Sequence, residues 1–411
     1  MQEQSRYVVG IDIGTKTVRC VVGHVDADSG VPKIVGVGEA PNSGMRKGVV
    51  SHLTGPASAI DEALESAERM SGHQVNSAVI SINGSHILST KADGMIAVGT
   101  GNGEVTAEDI ARLEDVATTG KIPANREVLE IVPHAYRLDG QDNIKDPVGM
   151  EGTRLELKAN VVSALVPHIS NLEKSSEMAN VEASGIIPSV LASARAVLTE
   201  SQLENGVAVI DIGGATTGVA VFEEGDVQHV AVIPIGAQNV TNDIAIGLKV
   251  DPEIAENVKL SHAELASNSA SEKIEFKYKK QTFNFDTGEI EEIVEARYEE
   301  IFEAISKEIK RAGGIGRLPS GVVLVGGGAK IKGLVGFAKE KLSVAAKIGV
   351  PTGYAGVSDE VKGPEYAAAV GLMLRDGESS AQQNRHSQSK SSKGAIKKTS
   401  NIIGNLFSKF K

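Results

Sequence analysis

Apolar, β-branched runs recur along this 411-residue chain, and two of them break in the same way. Residues 207–212 read as a buried strand. The run stops at Asp211-Ile212-Gly213-Gly214-Ala215-Thr216-Thr217, resumes as a second apolar run to Phe222, and meets the turn Glu224-Gly225-Asp226. This pattern predicts a β-hairpin with a small, polar, glycine-rich tip. Near the N-terminus, residues 7–23 repeat it around Asp12-Ile13-Gly14-Thr15-Lys16-Thr17. The two copies stand about 200 positions apart, so each is expected to open one half of a duplicated architecture.

Between them the pattern predicts a strand at 33–39, a helix at 55–70, and a strand at 76–82, the makings of an α/β layer. From 84 to about 160 the texture changes. Short strands are expected at 86–89, 95–98, 127–132 and 155–158, with a helix begun at Thr106, together an α+β insertion. A strand at 161–166 and helices at 169–182 and 189–198 follow. In the second half, helical patterns begin at Gly236 and at Asp251-Pro252, and a polar, weakly ordered stretch is expected up to Asp286. A long helix spans 290–312. Residues 322–325 read as a buried strand ending in Gly326-Gly327-Gly328-Ala329-Lys330, and a helix at 365–373 closes the core. Residues 376–394, rich in serine and glutamine, are expected to be a flexible linker.

Charge changes the picture at the C-terminus. The chain carries a formal net charge of −11, yet from Ser379 onward there are seven Lys or Arg and no Asp or Glu. On a helical wheel Ile396, Ile402, Ile403, Leu406, Phe407 and Phe410 fall in an arc of about 140°, with Lys397, Lys398 and Lys409 on the polar side. A helix this short needs a surface to form on, and an anionic bilayer suits it, each lysine contributing about 1 kcal/mol. Docking onto the chain's own body or a partner groove is the alternative. The acidic body argues against nucleic acid. A single cysteine, Cys20, is expected to pack in a core and suits a reducing compartment. No basic-then-apolar leader and no apolar run of about 18 residues is present.

The tips carry the candidate chemistry. Glycines let successive N–H groups approach an anion, threonines add donors, and an aspartate can hold a hydrated Mg²⁺. Two tips facing each other could grip one polyphosphate. The glycine run at 326–330 either receives a ribose or base, or is a plain strand-to-helix turn.

Two Asp-Ile-Gly hairpins and a late Val-Gly-Gly-Gly loop resemble the actin-like ATPase superfamily. The insertion segment Asp146-Pro147-Val148-Gly149-Met150-Glu151-Gly152-Thr153-Arg154-Leu155, the segment Val240-Thr241-Asn242-Asp243-Ile244-Ala245, and the amphipathic terminus are similar to the FtsA family of bacterial cell-division proteins. The resemblance implies an α/β, two-lobed actin-like (ribonuclease H-like) fold. Residues 1–84 and 161–199, closed by 360–375, would form the first lobe, with 85–160 inserted. Residues 200–240 and 313–359 would form the second lobe under an upper subdomain, 241–312, and residues 395–411 a membrane-targeting helix. It implies ATP with Mg²⁺, the phosphates on Gly14, Thr15, Lys16 and Thr17 and on Gly213, Gly214, Ala215, Thr216 and Thr217. Asp12 and Asp211 would orient the metal's waters. Glu256, Lys259, Gly326, Gly327, Gly328, Ala329 and Lys330 would hold the adenosine. Arg297 and Tyr298 would contact the C-terminal peptide of FtsZ. It implies head-to-tail polymerisation, other divisome partners, and tethering to the cytoplasmic face of the membrane at the division site. Some family members carry a glutamate near Ser189 that positions water; its absence here implies slow turnover at most. An actin-like pilus-assembly adaptor, or a small-molecule kinase with Asp243 as base, are the competing readings.

Overall fold

The computed structural model describes residues 6–26, 30–99, 103–265, 271–279, 281–356 and 359–389. The first hairpin is β1 (Arg6–Ile13) and β2 (Thr17–Val25), continued antiparallel by β3 (Pro32–Pro41). After the short pair β4 (Met45–Arg46) and β5 (Val49–Val50), helix α1 (Thr54–Ser71) packs Ile60, Ala63, Leu64 and Ala67 onto this sheet. Strand β6 (Ser77–Ile82) then joins β1 in parallel. Cys20 is buried in β2, and burial pushes its thiol up to about 12, so it is a packing residue.

The insertion comprises β7 (Leu88–Ala97), α2 (Ala107–Thr118), β8 (Arg126–Leu138), β9 (Gln141–Ile144) and β10 (Arg154–Leu165). Thr106 and Asp109 form the capping box that starts α2. The strands are fewer and longer than the sequence suggested. The two expected at 86–89 and 95–98 are the single strand β7, whose polar middle includes Gly94. A side chain there would meet the Leu113 carbonyl of α2 at 2.9 Å, so close packing selects the glycine. Likewise 155–158 and 161–166 are one strand, β10. Register shifts at Lys158/Ala159 and Val162/Ser163 break its alternation, and its buried Asn160 donates to the Val227 carbonyl at 3.1 Å.

Helix α3 (Val166–Met178) stops short of the expected 182, and β11 (Glu182–Pro188) follows, parallel to β6. The break lies at Asn180, whose φ of 58° leaves the helical region. Helices α4 (Ser189–Val197) and α5 (Glu200–Asn205) lead into the second hairpin, β12 (Val207–Ile212) and β13 (Thr217–Glu223), extended by β14 (Asp226–Ile233). Helices α6 (Ala237–Leu248) and α7 (Pro252–His262) start where the sequence pattern put them. The stretch expected to be weakly ordered contains a hairpin instead, β15 (Lys273–Tyr278) and β16 (Gln281–Asp286). Its polar residues alternate with Ile274, Phe276, Phe283 and Phe285, which cover the second core, so period-two alternation outweighs mean polarity. Helix α8 (Thr287–Arg311), strand β17 (Val322–Val325), helix α9 (Leu334–Leu342), strands β18 (Ala346–Ile348) and β19 (Ala355–Gly356), and helix α10 (Ala367–Ser389) complete the chain.

Helix α10 runs on through the first part of the expected linker, to Ser389. Residues 378–389 contain neither proline nor glycine, so nothing local ends the backbone ladder begun in the core. The amphipathic segment, with Ile396, Lys397, Lys398, Ile402, Ile403, Leu406, Phe407, Lys409 and Phe410, lies outside the described residues. No described helix is long and apolar enough to cross a membrane.

The duplication is plain in the sheets. One has the order β11-β6-β1-β2-β3-β19; the other begins β18-β17-β12-β13-β14 and continues β7-β10-β8-β9. In each, an antiparallel triplet opens on an Asp-Ile-Gly hairpin, and two parallel strands extend the sheet beyond its first member. The insertion, although it enters the chain after β6, is bonded to the second sheet through Ala231 and Leu88. Lys145 fastens the same seam, its Nζ 2.7 Å from Asp226 Oδ2.

Candidate functional site

Each hairpin tip is built by local bonds. In the first, the Gly14 N–H donates to the Thr17 carbonyl at 3.1 Å; in the second, the Gly213 N–H donates to the Thr216 carbonyl at 2.8 Å. The backs of both turns are tied down. Asn42 donates from its backbone N–H to the Lys16 carbonyl and from Nδ2 to the Gly14 carbonyl, at 2.8 and 2.7 Å. The N–H groups of Ala237 and Gln238, at the start of α6, donate to the carbonyls of Gly213 and Gly214 at 3.0 and 2.6 Å. With these carbonyls engaged from behind and the Gly14 and Gly213 N–H groups closing the turns, it is the remaining amides of each tip that suit an anion in front. Asn42 Oδ1 is buried without a donor among the described residues.

The tips face one another. A Cβ on Gly214 would lie 3.0 Å from Lys16 Cγ, and one on Gly48 would lie 3.0 Å from Thr216 Cγ2. The Gly48 N–H also donates to Thr15 Oγ1 at 3.2 Å. Lys16 is exposed between them. Thr217 departs from expectation. It is fully buried and its hydroxyl donates to the Ile235 carbonyl at 2.8 Å, so its proton fixes the turn and is not offered to a phosphate.

Asp12 and Asp211 end their strands at these tips. Burial is the main force raising both carboxyls, and Asp211, also facing the Asp12 charge, is pushed up to about 6. Ser81 Oγ donates to Asp12 at 2.8 Å and Ser193 Oγ to Asp211 at 2.9 Å. Two carboxylates that repel each other in a shielded cleft form a donor set that a hard cation relieves. Among the described residues no cluster of three or more metal-ligating side chains exists, so these two carboxylates alone do not make a closed metal site, and a Mg²⁺ held here would keep waters in its shell.

The glycine loop stands beside Asp211. Gly326 has a φ of 86°, and a side chain there would overlap Asp211 Oδ1, so glycine is required twice over. Gly327–Lys330 forms a 3-10 turn, and Lys330 pairs with Glu365 at 2.6 Å. A cavity of about 480 Å³ with a largely aliphatic lining opens at Ala329, Lys330, Ile331, Leu334, Val335 and Pro364. On the helices above, Lys259 Nζ lies 2.7 Å from Glu256 Oε2 and 2.8 Å from Thr241 Oγ1, and Thr241 also donates to Glu256.

Tyr298 corrects the sequence reading. It is 2% exposed, and its hydroxyl donates to the Gly328 carbonyl at 2.8 Å, so it supports the glycine loop from the core and presents no surface to a peptide. Arg297 remains at the surface but is held, by Asp243 through Nε at 2.6 Å and Nη2 at 3.0 Å, and by Glu300. The same bidentate pair engages both carboxylate oxygens of Asp243, the residue considered as a kinase base. Sequence reasoning missed Ser81, Ser193, Thr241 and Asn42. Each is a buried polar residue, a signal visible once a segment's buried face is known.

Comparison with known proteins bears on this geometry. The family model described as "Cell division protein FtsA" matches residues 208–371, and that described as "SHS2 domain inserted in FTSA" matches residues 84–163. Cell division protein FtsA of Pseudomonas aeruginosa is 38% identical, covering 90% of this chain and 89% of the relative. That of Bacillus subtilis is 36% identical, covering 89% and 82%, and that of Escherichia coli K12 is 32% identical, covering 90% of each. Among solved structures, the PilM-PilN type IV pilus biogenesis complex superposes with a TM-score of 0.65 at 18% identity, over 90% of this chain and 98% of the other. MreB5 of Spiroplasma citri bound to ADP gives 0.55 at 12% identity, over 93% and 98%. These last two carry the fold alone, and the fold is actin-like, with the SHS2 insertion in its first half.

Proposed function

Because the chain belongs to the FtsA family of cell-division proteins, we propose that it is an ATP-binding scaffold that polymerises head to tail and tethers the FtsZ ring to the cytoplasmic face of the membrane. The observation that carries the nucleotide half is the approach of Gly214 to Lys16, two like-built glycine-rich turns whose aspartates also sense one another. In this reading Gly14, Thr15, Lys16, Gly213, Gly214, Ala215 and Thr216 cradle the phosphates, while Asp12 and Asp211 orient the waters of Mg²⁺. The cation, when bound, neutralises phosphate charge. Glu256 and Lys259, held by Thr241, meet the ribose side, and the glycine loop with its aliphatic cavity meets the base.

Ser189 offers no carboxylate, and its hydroxyl donates to Asn83 Oδ1 at 3.0 Å. Turnover is therefore expected to be slow, and the nucleotide acts as a conformational ligand. FtsZ's C-terminal peptide, acidic in leaning, is assigned to the surface around Arg297, and the membrane to Ile396–Phe410 with its lysines. One weak helix per subunit suffices when a polymer presents many.

Isothermal titration with Mg-ATP tests the core of this reading. Binding in the wild type that is lost in the Asp12→Ala, Asp211→Ala double variant is expected; absence of heat in the wild type would refute it. Co-sedimentation with the FtsZ peptide separates this scaffold from a pilus adaptor of the same fold.

A further inference from the structure

Serine hydroxyls meet both cleft aspartates, Ser81 at Asp12 and Ser193 at Asp211 with Ser189 also close to Asp211, and Ser81 and Ser193 come from different elements. Ser81, on β6, is fully buried; its Oγ accepts the N–H of Ile13 at 2.8 Å and donates to Asp12 Oδ1 at 2.8 Å. A hydroxyl has a single proton, so the accepted N–H leaves that proton to the carboxylate. Ser193, on α4, is also fully buried and donates to Asp211 Oδ2 at 2.9 Å. The other oxygen of Asp211 lies beside Gly326, where any side chain would overlap it.

Packing does not account for these hydroxyls. Ser81 stands between Ile80 and Ile82, and Ser193 between Ala192 and Ala194, where an apolar residue would avoid burying a polar group. What the hydroxyls do is oppose a specific difficulty. The two aspartates repel each other in a shielded cleft, and an unrestrained carboxylate would rotate away. A hydrogen bond to an ionised acceptor is stronger than a neutral one, and a side chain already ordered gives up less freedom on binding.

We propose that Ser81 and Ser193 are a pair of positioning residues, one for each aspartate, that hold Asp12 and Asp211 in the orientation that receives a hydrated divalent cation. The proposal rests on the nucleotide reading above and adds that cation affinity, as distinct from nucleotide affinity, is set by these two hydroxyls. Ser193 is the more telling of the two, because it reaches from α4 to a strand of the other sheet. Cation binding and the packing of α4 are coupled through it.

The test is calorimetry on the full chain with ATP in Mg²⁺ and with ATP in excess EDTA, comparing wild type, Ser193→Ala, Ser193→Cys and Ser81→Cys. Thermal unfolding without ligand serves as a fold control. Ser193→Ala is expected to weaken Mg-ATP binding about tenfold, the scale of one charge-assisted bond, while affinity in EDTA stays unchanged. The cysteine variants, similar in shape but weaker donors, should fall between alanine and wild type. Equal losses with and without Mg²⁺ would assign the serines a packing role and overturn the proposal, as would no loss in any variant. If the wild type binds ATP identically with and without Mg²⁺, the cation site itself is refuted and the proposal with it; if metal-dependent binding persists but ignores the serines, the proposal falls alone.

Discussion

At Asp211, burial and the nearby Asp12 charge push the carboxyl from 3.8 to about 6. The unfolded chain releases this proton near 3.8, so between these values the native state holds more protons and stability falls as pH rises. Above about pH 6 the penalty is complete, about 3 kcal/mol for a shift of this size. Asp211→Asn is therefore expected to raise the melting temperature of the nucleotide-free protein at pH 7.5, an advantage that fades towards pH 4, and to abolish Mg-dependent ATP binding. A melting temperature below wild type at pH 7.5 would contradict the assignment. The aspartates and glycines of the two tips were legible in the sequence because turn chemistry is local. Thr217 was misjudged because its neighbours in sequence do not reveal that its hydroxyl is spent on Ile235.

Helix α8 serves two neighbours at once. Its inner face carries Tyr298 to the glycine loop, and its outer edge carries Arg297 to Asp243 on α6. Tyr298→Phe leaves the ring in place and removes the donor to Gly328, at a cost of about 1 kcal/mol. Chemical denaturation should show that loss, and ATP titration a weaker affinity, because the loop relaxes. For the outer edge, Arg297→Ala and Asp243→Asn should each destabilise, with a coupling of about 0.5–3 kcal/mol in the double-mutant cycle, as for residues in one network. A coupling of zero would make Arg297 a free surface cation. Caps and helix periods foretold α6, α7 and α8. The hairpin β15–β16 was hidden by its charge, and β10 by its bulges, since alternation read along one strand cannot show what the partner strand skips.

Over the whole molecule, two sheets of one design share a cleft, an insertion is stitched to the second sheet, and α10 carries the chain out of the core to Ser389. Removing residues 394–411 is expected to leave ATP titration unchanged and to release the protein from anionic liposomes in a pelleting assay; pelleting equal to wild type would refute the tether. The sequence alone determined the duplicated hairpins, the glycine loop and the family, because strand alternation, turn residues and motif spacing act over a few neighbours. The tertiary structure alone decided that the tips face each other and that Ser81 and Ser193 hold the aspartates. It also decided that Tyr298 lies inside and that the insertion joins the other lobe's sheet. Those facts depend on contacts between residues tens to hundreds of positions apart, and such contacts leave no local pattern in the chain.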